Sequence, residues 1–247
     1  MVGRANTQER RAARLAMTPD ILWLLKQKLA KAKMPVVKKR LLWATATFLF
    51  VGSLRSGEVL PSNKELFVRD ATLLNKNVSL ETRKIEEEEV TMLKIRLESP
   101  KEDRKRQGVT VELFRLQNSF FCPVTAWMKW KEVSRLENHP NLPLFRHEDG
   151  SGLTQKELNT TLKLLLQNEI DYSNGRISSH SFRAGLTTAM GRLGYGEEII
   201  SLQGRWRSEA YLKYCKEGRA NRLKDQWQLM KEMTEVSKSW ISGGILV

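Results

Sequence analysis

Residues 180–214 read HSFRAGLTTAMGRLGYGEEIISLQGRWRSEAYLKY. The segment from His180 to Leu193 has the apolar spacing of a helix, and a shorter helix is predicted near Glu197 to Leu202. Ser208 can cap a further helix that carries two tyrosines. The stretch therefore predicts three successive helices. The first presents an imidazole and a guanidinium on one face, and the last presents two phenols one turn apart.

The chain before this stretch contains further helices. The residues TPD at 18–20 are typical of a helix start, because threonine can cap and proline tolerates the first turn. A second helix is predicted from about Val37 to Ser53, and it is apolar enough to be central in the core. The residues TQKE at 154–157 match a capping box that opens another helix through about Leu165.

Between these helices the apolar period changes to two. Residues 93–97 (LKIRL) and 109–113 (VTVEL) alternate apolar with polar side chains, as strands do. Residues 99–108 between them are polar and rich in lysine and arginine, which predicts a β-hairpin with a basic tip. A strand around Val78 to Leu80 would complete a small antiparallel sheet. The predicted fold class is mixed α+β, mainly helical.

Charge indicates the kind of partner. The 247 residues carry a formal charge of +14, and the first 40 hold eleven basic and two acidic side chains. This balance favours a polyanion, with nucleic acid as the first expectation and an anionic membrane surface as the second. The uncharged run from Leu41 to Leu54 is short of the ~20 residues that span a bilayer. Cys122 and Cys215 match no metal-ligand spacing, which favours a reducing, intracellular compartment.

Several short motifs gain meaning from their order. Alone, Arg55 with Glu58 would be an ordinary surface ion pair. The motifs follow in the order LRSGE at 54–58, a hairpin lysine, HSFR at 180–183, GRWRS at 204–208 and a tyrosine eight residues after the tryptophan. Together they closely resemble the catalytic domain of the tyrosine recombinases. The resemblance spans roughly residues 36 to 216. Its GRWRSEAYLKY segment looks most like recombinases of eukaryotic mobile elements of the Crypton and DIRS kind.

This resemblance implies the tyrosine recombinase catalytic fold and a set of site residues. Attack on a phosphodiester builds a second negative charge on its oxygens, which arginine forks and an indole N–H can meet. A phenol needs a proton acceptor when it attacks, and the departing 5′-oxygen needs a general acid. The implied catalytic residues are Arg55, Lys101, His180, Arg183, Trp206 and the nucleophile Tyr214, with Glu58 orienting an arginine or the histidine. Lys105 is the alternative general acid, and Tyr211 the alternative nucleophile.

The expected partner is double-stranded DNA, with self-association into a dimer or tetramer on it and no membrane. No cofactor or metal is expected, since carboxylates do not cluster and His139 and His147 have no recognisable partners. If the chain is eukaryotic, it is expected in the nucleus. The residues expected to contact DNA are Arg10, Arg11, Arg14, Lys38, Lys39, Arg104, Lys105, Arg106, Arg205 and Arg207.

Three segments are predicted along the chain. Residues 1–17 form a basic flexible arm or linker remnant, residues 18–218 the catalytic domain, and residues 219–247 a C-terminal helix and tail for inter-subunit docking. Family members commonly carry a helical DNA-binding domain ahead of the catalytic one, but only about 35 residues precede the match here. A catalytic fragment or a reduced form is therefore expected.

Three functions fit these residues. The first is a recombinase that cleaves and rejoins DNA through a 3′-phosphotyrosine bond. The second is a DNA-binding module of a domesticated mobile element that keeps the site without using it. The third is a type IB topoisomerase-like enzyme that relaxes DNA. The joint presence of the six catalytic residues favours the first, because a binding module needs only positive charge.

Overall fold

The computed structural model describes residues 15–64, 72–98, 107–135, 138–171, 175–193 and 195–205, and the C-terminal positions 227–228, 230–232 and 234–235. The described part is mixed α+β, as predicted. The helices are α1 (Pro19–Lys31), α2 (Val36–Val51), α3 (Ser56–Val59), α4 (Pro123–Ser134), α5 (Gln155–Leu166), α6 (Ser181–Arg192) and α7 (Glu197–Gly204). The strands are β1 (Val78–Ile85), β2 (Glu88–Leu97) and β3 (Val109–Phe114).

Helix α2 lies in the core, as its apolar sequence predicts. Its second half is buried almost continuously from Ala44 to Val51, and Phe48 contacts Phe145 edge to face with ring centroids 5.2 Å apart. Helices α4 and α6 pack against α2, and α1 packs against α5. In the described part of the chain, no helix is both long and apolar enough to cross a membrane.

The three strands form one antiparallel sheet in the order β1-β2-β3. The hairpin of β2 and β3 confirms the prediction from alternation, with Leu93 opposite Leu113 and Ile95 opposite Val111. Strand β1 is longer than the predicted Val78 to Leu80. Residues 81–84 (ETRK) of its continuation are all polar, so the sequence shows no apolar alternation there.

The last residues of the predicted flexible arm, 15–17, are part of the folded structure. Met17 is fully buried, and its N–H donates to the carbonyl of Ser181 at 2.8 Å. Gly185 on α6 makes this approach feasible, because a Cβ there would lie 1.9 Å from the Met17 carbonyl oxygen. Leu15 also donates its N–H to the carbonyl of Arg176 at 3.0 Å. Residues 15–17 therefore belong to the folded domain, and residues 1–14 lie outside the described part.

The described positions of the C-terminal segment pack on the chain's own domain. The ring of Trp227 lies 5.6 Å from that of Phe114 between centroids, and its indole N–H donates to Glu88 at 3.2 Å. Met230 is 1% exposed. Docking of this segment onto a neighbouring subunit stays a prediction.

Candidate active site

Glu58 of the short helix α3 caps the N-terminus of its own helix. The Glu58 carboxylate accepts the backbone N–H of Arg55 at 3.0 Å, and the Glu58 N–H donates to the Arg55 carbonyl at 2.9 Å. The second carboxylate oxygen lies 3.1 Å from Nη1 of Arg55. The Glu58 side chain is only 3% exposed, so this is not the surface ion pair that spacing alone indicates.

Arg205 reaches the same carboxylate from the other end of the chain. Its Nη2 lies 2.8 Å from Oε2 of Glu58, although 147 positions separate the two residues. Gln203, on the last turn of α7, donates to the carbonyl of Val51 at 3.2 Å and so ties the end of α7 to the end of α2. The sequence predicts a DNA contact for Arg205. That contact stays a prediction, and the structure adds the bond to the buried carboxylate of Glu58, which the sequence does not predict.

Arg183 and Arg205 meet at the turn that follows α2. Both guanidinium groups donate to the carbonyl of Ser53 at 3.4 Å, and Arg183 also donates to the carbonyl of Gly204. Ser53 has a φ of 46° and Arg205 a φ of 51°, a left-handed conformation that non-glycine residues rarely adopt. The ends of α2 and α7 and the first turn of α6 therefore converge on one carbonyl oxygen.

His180 immediately precedes α6 and is connected to α3 and α5 by a chain of hydrogen bonds. The hydroxyl of Ser179 donates to that of Ser56 at 3.1 Å, and Nε2 of Gln155 donates to Ser179 Oγ at 3.0 Å. The same Gln155 nitrogen lies 3.4 Å from Nε2 of His180. Because Ser56 follows Arg55, this chain connects the histidine to the arginine-carboxylate cluster.

The cluster carries an excess of positive charge. It contains three guanidinium groups and one carboxylate, a formal balance of +2. Arg55 and Arg205 bind Glu58, and Arg183 meets Arg205 at the carbonyl of Ser53. Arginines stay charged near neutral pH and present fixed forks of donors. Such an arrangement can stabilise an anion with more than one negative charge, as a phosphodiester has during nucleophilic attack.

A second cluster of charged side chains surrounds Glu157, two residues after Gln155 on α5. Oε2 of Glu157 lies 3.0 Å from Nε2 of His147 and 3.5 Å from Nζ of Lys64, and Oε1 lies 3.5 Å from Nζ of Lys38. Burial alone would raise the pKa of the Glu157 carboxyl, but the hydrogen bond with His147 and the three nearby cations hold this pKa below its ordinary value.

This second cluster corrects two predictions. His147 does have a partner, contrary to the prediction, and the partner is the residue expected to complete the capping box. The box is half formed: Thr154 Oγ1 accepts the N–H of Glu157 at 3.2 Å, while the Glu157 carboxylate faces His147 and the lysines. Glu157 binds cations that are distant in sequence, so the local sequence does not predict these contacts.

The other predicted site residues divide into two groups. Lys39 lies apart from the cluster, with its ammonium donating to the carbonyl of Ala30 at 2.7 Å. The remaining ones fall outside the described residues: Arg10, Arg11, Arg14, Lys101, Arg104, Lys105, Arg106, Trp206, Arg207, Tyr211 and Tyr214. The structure thus brings Arg55, Glu58, His180 and Arg183 together and adds Arg205 and Gln155. Gln155 matched only a capping pattern in the sequence, so no signal there pointed to the site.

The chain is similar in structure to solved site-specific recombinases. The chain matches the XerH site-specific recombinase bound to difH substrate in a pre-cleavage complex, with a TM-score of 0.53 and 16% identity over 84% of this chain and 51% of XerH. A post-cleavage complex of XerH with palindromic difH gives the same TM-score and identity over 84% and 50%. An FLP recombinase–Holliday junction complex gives 0.50 and 13% over 77% and 44%.

These likenesses establish the fold. The chain has the tyrosine recombinase catalytic fold, as the sequence predicts, and it spans about half the length of the XerH chain. No protein-family model and no curated protein matches the sequence.

Proposed function

We propose that this chain is the catalytic domain of a tyrosine site-specific recombinase, which cleaves and rejoins DNA strands through a transient 3′-phosphotyrosine bond without a metal ion. The observation that carries the proposal is one network that joins Arg55, Arg183 and His180. Arg55 and Arg205 bind the buried carboxylate of Glu58, and Arg183 shares the Ser53 carbonyl with Arg205. His180 is joined to the same network through Gln155, Ser179 and Ser56. A site built to bind DNA by charge alone has no need of an imidazole tied into a network of buried hydroxyls.

The two arginines have a defined task in this proposal. Arg55 and Arg183 donate to the non-bridging oxygens of the scissile phosphate, whose negative charge grows during attack. Because their forks are held before the substrate arrives, little reorganisation is needed when the charge develops. Glu58 is a positioning residue, since its two oxygens lie on Arg55 and Arg205 and fix the direction of the first fork. Trp206 adds an indole N–H to the same oxygens.

The covalent step uses residues outside the described part together with His180. The Tyr214 oxygen attacks phosphorus and its proton passes to His180, while the bond from phosphorus to the 5′-oxygen breaks. Lys101 gives that oxygen a proton, with Lys105 as the alternative donor. The 3′-phosphotyrosine is then attacked by a 5′-hydroxyl, which rejoins a strand and restores the phenol.

The proposal extends to partners and origin. The partner is double-stranded DNA, on which the chain assembles as a dimer or tetramer. The GRWRSEAYLKY motif at 204–214 supports an origin in a mobile element of the Crypton or DIRS kind, and therefore a nuclear location in a eukaryotic cell.

Trapping of the covalent intermediate tests this function. A pool of duplexes with random sequence around a nick removes the need to know the target, because the short leaving strand is lost after cleavage and rejoining fails. We expect a protein–DNA complex that survives denaturing detergent, with EDTA present throughout. Sequencing of the trapped DNA gives the preferred site. DNA binding without any trapped complex across the pool would favour the DNA-binding module instead.

Salt dependence measures how much of the binding is contact with phosphates. We expect affinity for duplex DNA to fall steeply between 50 and 200 mM salt, by roughly 10³-fold if about six phosphates are contacted. Replacing Arg10, Arg11 and Arg14 with alanine should weaken binding equally on all sequences and make the slope shallower by up to about three. Truncation should stop at residue 14, because Met17 is buried. An affinity that does not change with salt would contradict this prediction.

A further inference from the structure

We propose that Gln155 is a positioning residue that holds the neutral imidazole of His180 with its proton on Nδ1 and its lone pair on Nε2. The use of this lone pair in DNA cleavage rests on the proposed function, but the state of the ring does not. The sequence gives Gln155 no role beyond a place in the first turn of α5.

The direction of each hydrogen bond around Gln155 follows from its neighbours. A serine hydroxyl has one proton, and Ser179 donates its proton to Ser56 at 3.1 Å. Toward Gln155 the same hydroxyl can therefore only accept, so the amide must present its NH₂ group, whose nitrogen lies 3.0 Å away. Ser56 and Ser179 are both fully buried, which removes water as a competing partner.

The orientation of the amide then fixes the imidazole. With one N–H directed at Ser179, the second N–H of Gln155 is left for Nε2 of His180, 3.4 Å away. A ring nitrogen that faces a donor must keep its lone pair, so the proton of the neutral ring lies on Nδ1. Free imidazole side chains prefer the opposite tautomer, with the proton on Nε2.

Helix α5 holds the residue before His180 at two points. Gln155 binds the side chain of Ser179, and Asn159, one turn later on the same face of α5, accepts the Ser179 N–H at 2.7 Å. Ser178 is also fixed, because its N–H donates to the hydroxyl of Ser181 at 3.0 Å. The backbone on both sides of the imidazole is therefore anchored, and Gln155 acts on the ring through a rigid support.

This arrangement suits a proton acceptor. Nε2 is basic only while it lacks a proton, and the Gln155 donor favours that state. A bond of 3.4 Å is long for a hydrogen bond, so it is given up readily when the hydroxyl of the nucleophile arrives. The proton of Tyr214 then moves to Nε2, and the ring becomes an imidazolium with both nitrogens protonated.

Nitrogen NMR tests the proposal without reference to activity. The chain has three histidines, so long-range ¹H–¹⁵N spectra of ¹⁵N-labelled protein show three ring systems, and His180→Gln identifies one of them. The spectra are recorded at about pH 8.5, two units above the ordinary imidazole pKa of ~6.5. We expect a protonated Nδ1 and an unprotonated Nε2 for His180. A protonated Nε2 in the native chain would overturn the proposal.

Two variants separate positioning from folding. Gln155→Glu is isosteric but replaces the donor with an acceptor, so the proton of His180 should move to Nε2. Gln167→Glu adds the same charge at the other end of α5, about 18 Å away, and should leave the tautomer unchanged. If Gln155→Glu fails to fold, Gln155→Met replaces it, and the ring should revert to the Nε2 tautomer. An unchanged tautomer in the folded variant would overturn the proposal.

The nicked-DNA experiment separates this inference from the proposed function. With trapping, we expect Gln155→Met to lower the rate of adduct formation more than the affinity for DNA, and Gln167→Glu to change neither. The expected tautomers without any adduct would uphold the positioning role and contradict the recombinase. An adduct from a native chain whose His180 has a protonated Nε2 would uphold the recombinase and contradict the positioning role.

Discussion

Replacing Arg183 with alanine is expected to reduce covalent adduct formation on nicked DNA by at least 100- to 1,000-fold. This is the order of the loss that follows removal of one donor from an oxyanion site. In the proposed reaction, Arg183 supplies a fork of donors to oxygens that gain charge as the tyrosine attacks. The rate is measured in single-turnover conditions with enzyme in excess, so that weak binding does not enter.

Arg183 also has structural partners, which the experiment must separate from chemistry. Its guanidinium donates to the carbonyls of Ser53 and Gly204, so the alanine variant should also unfold at a lower temperature. Arg192→Ala is the matched control, because Arg192 is an exposed arginine in the last turn of the same helix. Rates are compared at a temperature at which both variants are folded. Equal rates for the Arg183 and Arg192 variants would contradict the proposed role.

Replacing Glu58 with alanine is expected to cost about 3 kcal/mol or more of unfolding free energy, in addition to activity. The side chain is 3% exposed and its two oxygens lie on Arg55 and Arg205, so its loss leaves two partly buried guanidinium groups without their carboxylate. Breaking a buried ion pair on one side costs about 3–5 kcal/mol. Denaturant unfolding measures the change.

A matched ion pair at the surface provides the control for Glu58. Glu132 lies 3.1 Å from Nη1 of Arg40, but its side chain is 64% exposed, so Glu132→Ala should cost at most about 1 kcal/mol. In a double-mutant cycle, Glu58→Ala with Arg205→Ala should cost clearly less than the sum of the single changes. Additive costs, or a Glu58 cost no larger than that of Glu132, would show that the buried cluster does not act as a unit.

The sequence predicts those parts of this fold whose signal is local. Apolar spacing and capping residues predicted α1, α2, α5 and α6, and alternation predicted the hairpin of β2 and β3. The length of β1 was not predictable in this way, because residues 81–84 (ETRK) of the strand are all polar and show no alternation. The burial of Met17 depends on its close approach to Gly185 of α6, and neither residue's local sequence predicts that contact.

The candidate site likewise has a part that local sequence predicts and a part that depends on long-range packing. The motifs named Arg55, Glu58, His180 and Arg183, and the structure brings these four into one network. Spacing could not predict that Arg205 shares the carboxylate of Glu58, because the two residues are 147 positions apart and only the packing of α7 against the end of α2 joins them. Gln155 was missed for the same reason, since its partners Ser179 and His180 lie just before α6, more than 20 positions along the chain.

The most direct test of the central claim is the identity of the residue that carries the DNA. After trapping on nicked duplex, nuclease digestion leaves a short nucleotide on the protein, and mass spectrometry of the peptides locates it. We predict a nucleotide on Tyr214 through its 3′-phosphate, its loss in Tyr214→Phe and its persistence in Tyr211→Phe. An adduct on any other residue, or one that survives in Tyr214→Phe, would contradict the account.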